Sequence, residues 1–240
     1  MSRDSRDTHS IVELRQYTLR PGRRDDLISL FEERFIEVQE ALGMGILGQF
    51  RDAADPDRFV WLRGYADMAS RRRALEGFYD DSPVWREHRT AANDTLVDSD
   101  NVLLLRPARP GSGVRVNPAD RPARDAPEQA GRVIAAICSF DAPVTGEVAG
   151  SIDEVAAAAL RAAGGTPLGC YVTEPSKNDF RHPVREGENV LVWLGSAPDD
   201  LASSALRTVR ELTSRLAVPV EILELVPTRR SLLPHRAHPS

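Results

Sequence analysis

The sequence predicts an α+β fold in which two β-α-β-β-α-β repeats of one chain close on each other as a barrel. Three observations predict it. The tripeptide Val-Trp-Leu occurs twice, in "VWLRGY" (60–65) and "VWLGSA" (192–197). Its surroundings repeat too: "LGQF" (47–50) aligns with "LGCY" (168–171), and the end of "LLLRP" with the end of "ILELVP". A stretch with five prolines and almost no large apolar residues, 107–131, separates two parts of similar size. Self-similarity over whole segments marks an internal duplication, and such a proline-rich stretch reads as a linker.

The elements follow in order. "IVELRQYTL" alternates and stops at "RPG", so it reads as a strand. In "DDLISLFEERFIEVQEAL", Leu27, Leu30, Phe31, Phe35, Val38 and Leu42 recur at helical spacing. "GILGQF" and "RFVWLRGY" are strands joined by "RDAADPD". A helical region spans about 68–93, and Ser82 before Pro83 is a second helix-start signal within it. "NVLLLRP" closes the first repeat. In the second, "RVIAAICSF" is a strand and "SIDEVAAAALRAAG" a helix, with Ser151 and Glu154 at capping-box spacing. "PLGCYV" and "NVLVWLG" are strands, "DDLASSALRTVRELTSRLA" is a helix, and "VEILELVP" is the last strand. This order is the ferredoxin-like pattern. The expected division is a disordered start (1–10), a first repeat (11–106), a linker (107–131), a second repeat (132–228) and a C-terminal tail (229–240). Each sheet carries its helices on one face, so the two bare faces are expected to cover each other with a cavity between them.

Composition narrows the function classes. The net charge of −5 argues against a nucleic-acid partner, which needs a basic face. Lys177 is the only lysine. Cys138 and Cys170 form no Cys-x-x-Cys, and His9, His88, His182, His235 and His238 are scattered, so no metal site is expected. No apolar run approaches the roughly 18 residues of a membrane span, and "MSRDSRDTHS" lacks the apolar core of a secretory signal. The expected location is the cytoplasm, with no membrane partner. No glycine-rich phosphate loop or Gly-x-Ser-x-Gly elbow occurs.

Strand alternation puts Glu13, Arg15 and Tyr17 on one face and Trp61, Arg63 and Tyr65 on one face. With Val12, Leu14, Val60 and Leu62 assigned to the helices, the polar set is expected to point into the cavity between the sheets. It reads either as a structural Glu–Arg network at the barrel mouth or as a ligand site, because buried charge is costly unless paired or used. The second repeat favours a site. Glu13, Arg15 and Tyr17 align with Ala135, Ile137 and Ser139, and Arg63 and Tyr65 with Gly195 and Ala197. One repeat has kept a polar set that the other has lost. The first repeat also has 40 positions from Leu62 to Val102, against 28 from Leu194 to Ile222. A helix from about Pro83 would align Trp85, His88, Arg89 and Ala92 on one face. The second repeat has the longer loop between its middle strands, 21 positions against 10, carrying Arg181, His182 and Arg185. It reads as a lid or as a solvated insertion.

The set "ELRQYTLRPG", "LGQF", "VWLRGY", "SPVWREHR" and "DSDNVLLLRP" resembles the NIPSNAP family of the dimeric α+β barrel superfamily. The resemblance covers residues 11–107, and the other repeat is similar to a diverged copy of them. It implies a single-chain dimeric α+β barrel, and a site between sheet and helices. It carries no catalytic motif over, since relatives include antibiotic-biosynthesis monooxygenases, muconolactone isomerase-like enzymes and haem proteins such as chlorite dismutase. The expected function is therefore a cofactor-independent isomerase, cyclase or monooxygenase for an aromatic or polyketide-like small molecule. Arg15 and Arg63 would hold an oxyanion, and Glu13 or His88 would exchange a proton. Tyr17 and Tyr65 would donate hydrogen bonds, while Trp61, Phe78, Trp85 and Arg89 would complete the binding site. A haem enzyme with His88 as axial ligand and a non-catalytic binding or adaptor protein are the alternatives. Both monomer and homodimer are compatible with the duplication.

Overall fold

The computed structural model describes residues 9–234. The first repeat contains β1 (Ile11–Leu19), β2 (Gly45–Asp52), β3 (Arg58–Tyr65), the short β4 (Leu96–Asp98) and β5 (Val102–Pro107). Between β1 and β2 run α1 (Arg24–Leu30), a π turn (Phe31–Phe35) and α2 (Ile36–Ala41). Between β3 and β4 run α3 (Met68–Glu76), a second π turn (Gly77–Asp81) and α4 (Pro83–Asn93). The second repeat contains β6 (Arg132–Ser139), α5 (Gly146–Ala162), β7 (Thr166–Thr173), β8 (Val190–Ala197), α6 (Ala202–Thr213) and β9 (Val220–Pro227). All strand pairs are antiparallel. The order β1-β3-β2-β9-β6-β8-β7-β5 returns to β1, so eight strands close a barrel. The two sheets join edge to edge at β2–β9 and β5–β7.

Closure decides what fills the interior. A barrel of about eight strands is just wide enough for side chains to fill, so its inside is the driest place available. Val12, Leu14, Val60, Leu62, Leu103, Leu105, Val133, Ala135, Val192 and Leu194 pack together there, each almost fully buried. The sequence assigned this apolar set to the helices and the Glu13–Arg63 set to the interior. The structure reverses both. The polar set lies under the helices, whose side chains can pair with it.

Both repeats bend a strand in the same way. The registers of β2 and β7 shift beside Gly48 and Gly169. The aromatic ring two residues later folds back over each glycine: a Cβ at Gly48 would sit 2.5 Å from Phe50 Cζ, and one at Gly169 would sit 3.1 Å from Tyr171 Cε2. The matching "LGQF" and "LGCY" are thus duplicated β-bulges, each needing a residue without a side chain.

Helix starts were only partly legible. Ser82 caps α4, its Oγ accepting from Trp85 N at 3.3 Å. However, α5 begins five residues before Ser151, with Thr145 as its cap, so Ser151 and Glu154 lie inside the helix. The segment 107–131 has little regular structure but is tied down. Val114 joins the barrel core and donates its N–H to Tyr171 Oη at 2.6 Å. Arg121 donates to the carbonyls of Ile46 and Arg230, and Gln129 to those of Thr228 and Ser231. The expected tail is also packed up to residue 234. Leu233 is 1 % exposed in the barrel core, and Ser231 Oγ accepts from Gln49 N at 3.1 Å. Of the expected disordered start, residues 1–8 lie outside the described residues, as do His235 and His238 of the tail. No helix among the described residues is long and apolar enough to cross a membrane.

Because Leu233 is a core residue, Leu233→Ala is expected to cost about 2–4 kcal/mol in urea denaturation, as for other buried leucines. A free tail would give no change.

Candidate functional site

The site is assembled on the outer face of β1 and β3. Their register sets Glu13 opposite Arg63, Arg15 opposite Trp61, and Tyr17 opposite Phe59. Helix α3 adds Arg71. Asp67 caps that helix by accepting from Ser70 N at 2.6 Å, which fixes where its first turn delivers the arginine.

Glu13 is fully buried and holds three arginines. Its Oε2 accepts from Arg15 Nη1 at 2.8 Å and from Arg63 Nη2 and Nε at 2.7 and 3.0 Å. Its Oε1 accepts from Arg71 Nε at 2.7 Å. Arg71 Nη1 then donates to Asp179 Oδ1 at 2.9 Å, and Arg63 Nη1 to Gln39 Oε1 at 3.3 Å. Arg15 Nε donates to Tyr17 Oη at 2.9 Å. The guanidinium of Arg15 lies 5.5 Å from the Trp61 ring centre and that of Arg63 lies 4.9 Å from it, within cation–π range. Burial works to raise the Glu13 pKa, but Arg63, Arg15 and Arg71 outweigh it and hold the carboxyl below the usual range. Glu13 is a permanent carboxylate, saturated with donors, and is not placed to exchange a proton.

Next to this network is a cavity of about 120 Å³. Of the expected residues, Arg15, Tyr17, Trp61, Phe78 and Trp85 line it. Both π turns deliver aromatic rings to its wall: Phe31 and Phe35 from the first, Phe78 and Tyr79 from the second. Glu13, Arg63 and Tyr65 lie behind the lining. His88 and Arg89 do not reach it. His88 Nε2 is 3.8 Å from Glu87 Oε1, and Arg89 is exposed. On α4 the stripe facing the cavity runs through Trp85 and Ala92, and residues 88 and 89 straddle its edges. A haem does not fit these residues, since the cavity is far smaller than a porphyrin and His88 lies outside it. Among the described residues, no three His, Cys, Asp or Glu side chains are placed to hold a metal ion.

The long β7–β8 loop covers the cavity. His182 lines it, packed at a tilt of 48° against Tyr79 with ring centres 4.2 Å apart, and Phe180 lies 5.9 Å from the same ring. Arg181 pairs with Asp80 at 2.6 Å, and Asp179 holds Arg71. Asn178 Nδ2 bridges the carbonyls of Phe180 and His182, giving the loop its shape. Burial, with Arg15, Arg63 and Arg181 nearby, lowers the His182 pKa to about 4, so its ring is neutral near pH 7. Two buried nitrogens in this cavity have no partner among the described residues: Trp61 Nε1 and His182 Nε2. Arg15 Nη2 likewise makes no hydrogen bond there, since its Nε and Nη1 take Tyr17 and Glu13.

Sequence reasoning passed over Arg71, Asp179, Tyr79 and Gln39, and named His182 only as part of a loop readable as a lid or a solvated insertion. Arg71 sat in an unremarkable "RRR" run. The only signal for His182 was the length of its loop. The alignment of the repeats also needed correction by one residue. Leu14 pairs with Leu62, and Ala135 pairs with Leu194. The counterparts of Glu13, Arg15 and Tyr17 are therefore Ile134, Ala136 and Cys138. The contrast between the repeats remains, because all three are apolar. At the Arg63 counterpart a side chain would displace its neighbours: a Cβ on Gly195 would sit 2.5 Å from Leu160 Cδ2 and 2.8 Å from Trp193 Cη2.

Removing the single carboxylate that serves three buried arginines is expected to be severe. Glu13→Gln should cost about 3–5 kcal/mol in denaturant unfolding. Acid should act on both titrating groups. Glu13 has a folded pKa below its unfolded value of 4.5, so its contribution is present above pH 4.5 and is withdrawn as pH falls below it. His182 stays neutral in the fold while the unfolded chain takes up its proton near pH 6.5, so stability falls from pH 6.5 down to about 4. Thermal unfolding of His182→Gln is expected to lose that upper-window decline and keep the lower one.

Residues 12–110 match the model of the NIPSNAP family. No curated protein matches the sequence. Over nearly the whole chain, the structure resembles a provisionally assigned monooxygenase of Fusobacterium nucleatum, with 10 % identity, 94 % of this chain and 95 % of that one covered, and a TM-score of 0.55. Another provisionally assigned monooxygenase, from Lactobacillus acidophilus, covers 90 % of this chain and 93 % of its own, with 10 % identity and a TM-score of 0.51. Both support the barrel fold. A NIPSNAP-like domain protein of Burkholderia xenovorans is 32 % identical, covering 42 % of this chain and 86 % of its own, with a TM-score of 0.37. The matched span holds β1, β3, Glu13 and its arginines, and through this first repeat the chain belongs to the NIPSNAP family.

Proposed function

We propose that the first repeat binds a small, single-ring anion and that the chain is a cofactor-independent enzyme of the isomerase, cyclase or monooxygenase type. The observation that carries this reading is an uncompensated charge. Three buried or nearly buried cations, Arg15, Arg63 and Arg71, face two carboxylates, Glu13 and the partly exposed Asp179. One positive charge is left over, and Arg15 is the arginine that lines the cavity. Burying unpaired charge is costly, so a bound anion would complete the site. The volume sets the size: a cavity of about 150 Å³ holds benzene, and this one is about 120 Å³. A polyketide-sized molecule would need the lid to open.

The arrangement suits an enolate or phenolate. Arg15 Nη2, the Tyr17 hydroxyl and Trp61 Nε1 are donors fixed before the ligand arrives, which is what stabilises developing oxyanion charge in a dry site. In this reading His182 Nε2, buried without a partner among the described residues, takes a proton from an acidic C–H as the neighbouring carbonyl becomes an enolate. Returning that proton to a different carbon is an isomerisation. The same enolate carbon could instead attack a carbonyl of the same molecule, closing a ring as the resulting alkoxide takes back the proton held by His182, or pass its electrons to dioxygen, forming a C–O bond and a hydroperoxide whose outer oxygen takes that proton. The provisional assignments of the two whole-chain structural neighbours keep the oxygenase branch beside the others.

A calorimetric titration with one-ring phenols and enolisable diketones, each beside its methyl ether, tests the reading. The ionisable members are expected to bind at least about tenfold more tightly than the ethers, and Arg15→Met should remove that preference, as for hydrogen bonds to charged groups. His182→Gln should keep binding and abolish deuterium uptake from D₂O at the acidic carbon. Equal affinity for acids and ethers would end the anion reading. Exchange that survives His182→Gln would end its role as base.

A further inference from the structure

We propose that the second repeat is also a binding site, for an aliphatic chain ending in one negative charge. The proposal does not depend on the first-repeat reading. A groove of about 290 Å³ runs between α5 and α6 down to the outer face of β6 and β8, close to the lower end of the roughly 300–1,000 Å³ usual for small-molecule sites. Its floor includes Ala136, Cys138 and Trp193, and its walls include Ile152, Ala156 and Val209. This is the position that Arg15, Tyr17 and Trp61 occupy in the first repeat, where aromatic rings and α4 fill the layer. The second repeat has no counterpart of α4. Its α5 presents Ala156 to the groove, a side chain too short to close the gap.

The polar atoms at this groove are already used or lie at its edge. Trp193 Nε1 donates to Asp153 Oδ1 at 3.1 Å, and Thr213 Oγ1 donates to Val209 O at 2.9 Å. Apart from the weakly bonding Cys138 thiol, the floor therefore offers no free hydrogen-bonding group, and an occupant must be apolar to avoid losing its own. Arg215 lines the groove, is exposed, and makes no ion pair among the described residues. That combination, an apolar slot with an exposed cation at its mouth that makes no ion pair among the described residues, matches a medium-length carboxylate. A slot reaching the sheet between two helices suits an inserted chain better than a flat protein face. The two repeats would then divide the chemistry, one taking charge deep in the layer and the other taking it only at the rim.

Decanoate added to the whole protein tests this, followed by calorimetry and by tryptophan emission. Saturable one-to-one binding is expected, and butyrate should fail to compete. Arg215→Ala should weaken decanoate by about two- to fivefold, the range for an exposed ion pair, and leave decanol unaffected. Ser151→Trp, at an exposed position on the rim, and Ala156→Phe, in the wall, should each abolish binding; the first keeps the test valid if the second fails to fold. Unsaturable binding, or binding unchanged in both blocked variants, would overturn the proposal. So would sedimentation as a dimer that Val155→Glu dissociates, since a second copy would then cover the groove.

Discussion

Glu13 is the group on which the first repeat depends. It is a single carboxylate, wholly buried, that neutralises parts of three guanidinium groups arriving from β1, β3 and α3. Without it, Arg15, Arg63 and Arg71 would be like charges crowded in a dry layer. With it, they become a rigid frame. Each arginine is left with a second duty: Arg63 reaches Gln39 of α2, Arg71 reaches Asp179 of the lid, and Arg15 reaches the cavity. The carboxylate that resembles a catalytic acid or base is thus a structural anion. Its part is to hold Arg15, Arg63 and Arg71 in place.

The barrel makes this arrangement possible. Its apolar interior supplies the hydrophobic burial that holds two repeats together, so the helix-covered faces are free to differ. On the first face, the polar set is matched by polar side chains from the helices and enclosed by aromatics from two π turns. On the second, the same positions are Ile134, Ala136, Cys138 and Gly195, and the alanine-rich α5 leaves a gap. The two outer faces have therefore diverged, one polar and enclosed, the other apolar and open. Barrel closure constrains both repeats equally, and both keep the bulge glycine and the inward-facing valine and leucine of Val-Trp-Leu. The outer faces carry no such constraint.

The lid shows that the repeats are not independent. Residues Asp179 to His182 belong to the second repeat in sequence and to the first-repeat site in space. They sit there because β5 pairs with β7, which brings the start of the β7–β8 loop beside the second π turn. A single-repeat domain could not supply this loop from its own chain. Covering the cavity also lowers its local dielectric, which strengthens the pull of Arg15 on any anion inside.

The sequence by itself determined the duplication, the order of elements, the barrel and the membership of Glu13, Arg15, Tyr17, Trp61, Arg63 and Tyr65 in one polar surface. These follow from local periodicity and from self-comparison, both of which are properties of the chain alone. Which way that surface points was decided only by tertiary structure. Alternation separates two faces but does not say which is drier, and closing eight strands made the barrel interior drier than the helix layer. The same holds for His88 and His182. One lay in a motif-like helix and misses the cavity by its angle on that helix. The other lay in an unpatterned loop and reaches the cavity because a strand pairing between repeats carries it there. Pairing between strands distant in sequence leaves no periodic trace, so the site's last residues became visible only in the fold.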